Sequence, residues 1–194
     1  MAGWEEVEIT QISVKELRAD PSGSVVEQIA ALAYQAFREP PWTESLEGPR
    51  LHFGLGVDLT RRGAVAHIAK TRDSNKIIGY LLGYEVLRES KDPRDLTLSE
   101  ISGSDALDYL FEGEKRVFYG DTLCVAPGFR RQHIAERLFM ALIQVLREEG
   151  FTYHLGDTDI TAKAPRGLFT KLGFQELPVH NIFYPQRTYW LLRL

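Results

Sequence analysis

Residues 123–138 read LCVAPGFRRQHIAERL: an apolar run, a basic turn that carries Pro127 and Gly128, and the opening of an amphipathic segment. A strand that stops at a tight turn and feeds straight into a helix commits the chain to layered α/β packing. The strand needs a sheet, and the helix needs a face of that sheet to cover. The junction also has chemistry. The first N–H groups of a helix lack intrahelical partners and carry the positive end of the macrodipole, so an anion such as a diphosphate is stabilised there. Arg130 and Arg131 add two formal charges, although an arginine pair at a helix start serves equally well as solvated surface.

The rest of the chain alternates in the same way. VEITQI (7–12) alternates apolar and polar residues and predicts a first strand. Ser24 and Glu27 form a capping-box start for a helix with Val25, Val26, Ile29, Ala30, Ala33 and Phe37 on one face, stopped by the EPPW turn. An irregular helix is expected over 45–61. AVAHIAKTR (64–72) and KIIGYLLGYEVL (76–87), with Asp73, Ser74 and Asn75 between them, predict a hairpin. A polar stretch follows over 88–115, with a short helix near Asp105 to Phe111.

In the second half a strand is expected over 116–126. A helix follows whose face carries Ile134, Leu138, Ala141, Leu142 and Val145, widened by Phe139, Met140 and Ile143 and closed by Gly150 as the residue past its end. A strand over 151–159, a helix over 164–172 and strands near 175–183 and 187–194 complete the order. With no repeat and no linker, one domain over 1–194 is the economical division.

About forty residues after the basic turn comes APRGLFTKLGF (164–174). Taken with the first motif, it resembles the GNAT acyltransferase superfamily. In that family the turn reads Arg or Gln, two residues, Gly, one residue, then Gly or Ala, led by Val-x-Pro-x-aromatic. Val125, Pro127, Phe129, Arg130 and Ala135 match, as do Leu172, Gly173 and Phe174 of the later helix end. His133 stands at the central glycine position, Arg131 replaces a second glycine, and Phe169 sits where many members carry tyrosine. The turn is therefore a divergent one.

The resemblance implies an α/β, α+β-sandwich fold: a mixed, mostly antiparallel central sheet flanked by helices. It implies acetyl-CoA as acyl donor and an N-acetyltransferase activity by direct attack of a primary amine in a ternary complex. Carried over by position, the backbone of Leu123, Cys124 and Val125 pairs with the pantetheine arm and polarises the thioester carbonyl. Amides of Arg130, Arg131, Gln132, His133, Ile134 and Ala135 hold the diphosphate, and Phe169 borders the cofactor. A fixed N–H at the developing oxyanion is worth several kcal/mol in a dry site. A left-handed His133 would cost about 1–2 kcal/mol, small beside several amide-to-phosphate bonds. Without a phenol at 169, the departing thiolate needs water, another tyrosine, or no acid, since a thiol of pKa near 8.5 leaves tolerably as its anion.

Period-two alternation puts Tyr119, Asp121 and Leu123 on one strand face. Asp121, acting through a water, is the first candidate for the base that takes the ammonium proton, and Tyr119 the second. Asp121 is equally a hydrogen-bonded strand residue beside Gly120, and Asp157 and Asp159 are weaker alternatives. Cys124 lies on the opposite face with no adjacent base, which suits a buried core thiol rather than a nucleophile. For the acceptor, Glu39, Trp42, Glu44 and Glu47 gather carboxylates beside an aromatic, which suits a cationic amine, and equally a helix end with a wedged tryptophan. The 88–115 stretch holds acidic residues at 89, 92, 95, 100, 105, 108, 112 and 114 against basic ones at 88, 91, 94 and 115. Such a stretch attracts polyamines, aminoglycosides or lysine side chains, or is solvated surface.

Bulk properties narrow the class. With 44% hydrophobic and 26% charged residues, 194 residues can bury a sizeable core. No run approaches the ~20 apolar residues of a membrane span and no leader-like start is present, so a cytoplasmic protein is expected. The single Cys124 excludes an internal disulfide framework. Histidines 52, 67, 133, 154 and 180 show no ligand spacing, so no metal is expected. A net charge of −4 argues against nucleic acid as partner. TYWLLRL (188–194) is apolar enough to pair across a homodimer or to be buried in one sheet. A second functional reading stays open on His133 and Phe169: a catalytically degenerate member that binds acyl-CoA or a protein partner as a sensor or interaction module.

Overall fold

Eight strands form one sheet in the order β1-β2-β3-β5-β6-β8-β7, with β4 beside β3. The structure, a computed structural model, describes residues 7–13, 16, 24–41, 60–93, 95–101, 105–181 and 184–194. The elements are β1 (Val7–Ile12), α1 (Ser24–Phe37), β2 (Val65–Thr71), β3 (Ile77–Leu87), β4 (Leu96–Thr97), α2 (Leu98–Ile101), a 3-10 helix (Asp105–Phe111), β5 (Val117–Val125), a 3-10 turn (Pro127–Phe129), α3 (Ile134–Glu148), β6 (Tyr153–Asp159), α4 (Lys163–Lys171), β7 (Gln175–His180) and β8 (Arg187–Arg193). β1 pairs antiparallel with β2, and β8 with both β6 and β7, whereas β5 runs parallel to β6. This is the mixed, mostly antiparallel sheet with flanking helices that the motif order implies.

By its contacts the chain divides into two compact units, one of Met1–Thr60, Ala64–Leu82 and Thr122–Leu142, the other of Arg61–Gly63, Gly83–Asp121 and Ile143–Leu194. In the first, α1 buries Ile29, Ala30, Leu32 and Ala33 against Ala66, Ile68, Tyr80, Leu82 and Cys124. Each fully buried aliphatic side chain there contributes about 1.5–3 kcal/mol. The other face of β3 has Gly79, whose missing side chain leaves room for Ile134 and Leu138 at the start of α3. The β2–β3 hairpin closes through Thr71 N–H to the Lys76 carbonyl at 3.0 Å, with Asn75 in the left-handed region at φ 53°.

In the second unit, an aromatic cluster of Phe118, Phe151, His154, Phe169, Phe174 and Trp190 packs edge-on and stacked. Gly83 is fixed by close approach: a Cβ there would collide with the Tyr119 carbonyl oxygen and the Phe118 ring. Gly150 does close α3, at φ 75°, with Phe151 N–H bonded to the Leu146 carbonyl and Gly150 N–H to that of Arg147.

Two expectations change. Met140 does not widen the buried face of α3; it is 54% exposed, and the buried row is Ile134, Leu138, Phe139, Leu142, Ile143 and Leu146. The acidic 88–115 stretch is more than a surface loop, because it contributes β4, α2 and a core contact through Leu98, Ile101, Leu107 and Leu110, all buried. Its charge count hid four apolar residues at the spacing of short turns. Of the irregular helix expected over 45–61, only Thr60 and Arg61 are described, and they lie in a turn. Finally, β8 has β6 on one side and β7 on the other, so both edges of TYWLLRL are filled within the chain.

Candidate functional site

The ladder between β5 and β6 covers Val117–Gly120 with Tyr153–Gly156, and β5 then continues to Val125. Along that continuation strict alternation is lost: residues 120 to 123 are all half-buried, while Cys124 turns into the core packed by α1. Ala126 N–H donates to the Ile78 carbonyl at 2.8 Å, which ends the strand, and Phe129 N–H closes the following turn on the Ala126 carbonyl.

Arg131 and His133 both adopt the left-handed conformation, at φ 65° and 61°. These are the two positions where glycine was expected. At about 1–2 kcal/mol each, the strain marks a backbone shape kept in spite of the side chains. The His133 carbonyl accepts the first α3 bond, from Arg137 N–H at 3.0 Å, so the N–H groups of Ile134, Ala135 and Glu136 open the helix without intrahelical acceptors. The side chains face other work. His133 is exposed, with Nδ1 3.0 Å from Glu136 Oε2. Gln132 Nε2 bonds back to the Gly128 carbonyl. Arg130 donates through Nε to the Val125 carbonyl and through Nη1 to Glu39. Glu39, expected beside the acceptor, is thus tied to the basic turn. Trp42, Glu44 and Glu47 lie outside the described residues.

In the second unit, titratable groups gather where β3, β5, β6 and β8 run side by side. Asp121 is half-buried, and its Oδ1 accepts the Tyr84 hydroxyl at 2.8 Å. Tyr119 is buried, and its hydroxyl donates to Asp157 Oδ1 at 3.0 Å. The two tyrosine rings are 6.2 Å apart. Burial pushes the Tyr119 phenol well above its ordinary pKa, reinforced by Asp157, Asp121, Tyr84 and Tyr189. Burial likewise raises Asp157, opposed by Arg187 and by the Tyr119 hydrogen bond. Asp159, the other aspartate of that strand end, is absorbed by a turn: its Oδ1 accepts Thr161 N–H at 2.7 Å.

Phe169 is buried between Phe174 and Trp190, and its Cζ lies 3.2 Å from the place a Gly156 Cβ would take. Gly156 and Trp190 are ladder partners, as are Asp157 and Tyr189. Alternation therefore puts Phe169 on one side of β6 and Asp157 on the other.

Tyr84 escaped the sequence reading. β3 is buried along almost its whole length, so no period distinguishes a core tyrosine from one whose hydroxyl meets a carboxylate. Arg187 was equally silent; its Nη1 stands 3.8 Å from Asp157 Oδ2. Among the described residues no three His, Cys, Asp or Glu side chains gather as a metal site, and no helix is long and apolar enough to cross a membrane.

A family model described as Acetyltransferase (GNAT) family matches residues 26–174. Among solved structures, the NatC complex bound to Gag peptide and CoA is similar at 16% identity over 97% of this chain and 99% of that one, with a TM-score of 0.65. An aminoglycoside acetyltransferase from an uncultured soil metagenomic sample, in complex with sisomicin, is 18% identical over 91% and 94%, with a TM-score of 0.60. Arabidopsis thaliana NAA60 with a bisubstrate analogue is 15% identical over 96% and 98%, also at 0.60. No curated protein sequence matches the chain significantly.

Proposed function

The chain belongs to the acetyltransferase (GNAT) family, and on that premise we propose that it transfers an acetyl group from acetyl-CoA to a primary amine by direct attack in a ternary complex. The observation that carries this reading is the turn after β5. Two non-glycine residues, Arg131 and His133, hold a left-handed shape at the start of a helix whose first N–H groups lack intrahelical acceptors, and such a shape suits a diphosphate. The amides from Arg131 to Ala135 bind that diphosphate, the Arg130 N–H being spent on the Pro127 carbonyl, and the backbone of Leu123, Cys124 and Val125 runs beside the pantetheine arm and polarises the thioester carbonyl. Phe169, buried between Phe174 and Trp190, serves as packing.

Asp121 is the base for the incoming ammonium, acting through a water, and Tyr84 orients its carboxylate. The acceptor is a cationic amine, met by Trp42 and Glu44, with the Glu39 carboxylate drawn instead to Arg130. That two of the similar structures hold a peptide and an aminoglycoside is in keeping with an amine acceptor. The competing reading, an acyl-CoA-binding module without turnover, draws on the same two strained residues and on Phe169.

Calorimetric titration with acetyl-CoA, against desulfo-CoA and adenosine diphosphate, tests the donor site. Thiol release across an amine panel then tests transfer. Acetyl-CoA binding with thiol release supports the enzyme. Binding that only raises the melting temperature supports the module, and absence of binding removes the enzyme and leaves a protein partner as the module's ligand.

A further inference from the structure

Arg61 and Arg62 lie in the turn before β2, and that turn is pinned to β3. Gly63 takes φ 61° where a Cβ would strike the Glu85 side chain, and Glu85 N–H donates to the Arg62 carbonyl at 3.0 Å. The two arginines then part. Arg62 Nε lies 3.4 Å from Glu85 Oε2, on a carboxylate shared with Arg116, whose Nε donates to Oε1 at 2.8 Å. Arg61 instead lays its guanidinium over the Tyr84 ring, 5.1 Å from the centroid. Tyr84 and Glu85 are neighbours on a strand, so they point to opposite faces. Arg61 therefore stands on the face of Asp121, and all these groups belong to one compact unit.

Tyr84 sets the spacing of two opposite charges. Its hydroxyl donates to Asp121 Oδ1 at 2.8 Å, and its ring carries the Arg61 guanidinium. Tyr84 is buried, so its ring cannot swing, whereas Arg61 and Asp121 at its two sides are half-buried and within reach of a ligand. A guanidinium stacked face-on presents its N–H edges sideways, and five donors exceed what a single neighbour takes up. Those edges form the planar fork that matches a carboxylate. A purely cationic acceptor is repelled by such a group, and one with an anionic group beside its amine is drawn to it.

We propose that the acceptor is an amine that also carries a carboxylate near the reacting nitrogen, and that Arg61 is the specificity-determining residue that binds this carboxylate; this rests on the acetyl-transfer reading above. The ammonium gives its proton to Asp121 through water, while two parallel N–H bonds from Arg61 hold the carboxylate on the other side of the Tyr84 ring. A diamine lacks that second contact and sets a like charge against the guanidinium.

The test uses the intact protein and thiol release with matched acceptors: lysine against cadaverine, β-alanine against β-alaninamide, and the aspartyl against the asparaginyl form of one dipeptide amide. An amide's amine is less basic than that of its parent acid, so more of it is neutral and intrinsic reactivity runs against the expected order. Wild type should favour the carboxylate member by about 10-fold to 100-fold in kcat/KM. Which pair responds tells a free amino acid from a peptide end. Arg61→Gln should erase the preference by raising KM for the carboxylate member far more than for its partner, with acetyl-CoA affinity by calorimetry unchanged. Arg61→Lys, which keeps the charge without the fork, should retain part of it. Three results would overturn the assignment while acetyl transfer stands: equal use of both members by wild type, a preference untouched in Arg61→Gln, or equal slowing of both members in that variant, as packing on Tyr84 alone predicts. Acetyl-CoA binding without thiol release for any amine would remove the acetyl-transfer reading and this assignment with it.

Discussion

The Tyr84 hydroxyl donates to Asp121 Oδ1 at 2.8 Å, joining residues 37 positions apart on β3 and β5. β3 can bring that hydroxyl so close because Gly83, the residue before it, carries no side chain to strike the Tyr119 carbonyl. The bond fixes one oxygen of Asp121 and leaves the half-buried carboxylate aimed. Removing it by Tyr84→Phe should cost about 1.5–3 kcal/mol of orientation at most, read as a fall in kcat of about 10-fold to 100-fold with acetyl-CoA affinity unchanged. Equal kcat in the variant would take Tyr84 out of the mechanism.

Restoring the family's tyrosine at position 169 should not help. The Phe169 ring already touches Gly156 and is enclosed by Phe174 and Trp190, so a hydroxyl on Cζ has to displace its surroundings. Overpacking of this kind costs about 1–3 kcal/mol. Phe169→Tyr should lower the melting temperature without raising turnover; a faster enzyme would show that the phenol reaches sulfur after all.

Glu39 and Arg130 form an ion pair at the turn, with side chains 38% and 41% exposed. Such a pair contributes about 0–1 kcal/mol to stability, but its carboxylate competes with any diphosphate for the guanidinium. Glu39→Gln should leave the melting temperature nearly unchanged and tighten acetyl-CoA binding severalfold, most clearly at low salt. Weaker binding in the variant would assign Glu39 to holding the turn in shape.

Acid should unfold the protein through its buried imidazoles. Burial lowers His67 to about 4 and His154 to about 3, from an ordinary 6.5. Both stay neutral in the folded state where the unfolded chain takes up protons, so stability is full above pH 6.5 and falls as pH drops toward 4. His67 alone accounts for on the order of 3 kcal/mol of that loss. Asp157, raised in the folded state, works weakly in the opposite direction. Glu16, Asp73 and Glu176 are lowered and add to the loss only near the carboxylate range. Melting temperatures from pH 7.5 to 4.5 should decline, and His67→Leu should make that decline shallower; an identical slope would clear His67.

How far the site could be read in advance depends on the range of the signal. The strand, turn and helix over 123–138 were legible because propensity, the proline and glycine of the turn and the helical apolar face are written in neighbouring residues. The left-handed shape of His133 was legible only as a condition of the family motif. Met140 was misjudged since a helix pattern reports a face, and only packing shows where that face ends. The 88–115 stretch was misjudged because charge count outweighed four apolar residues whose partners come from elsewhere.

By itself, then, the sequence determined the alternation of strands and helices, the hairpin, the helix stops and the anion-ready turn. All of these follow from interactions within a few residues. Only the tertiary structure decided which side chains meet: Tyr119 with Asp157 across 38 positions, and Arg130 with Glu39 across 91. Those pairings depend on sheet order and register, and on which hydroxyl finds which carboxylate once both are withdrawn from water. No local pattern encodes that, because in an extended chain a core tyrosine and one whose hydroxyl meets a carboxylate are the same residue.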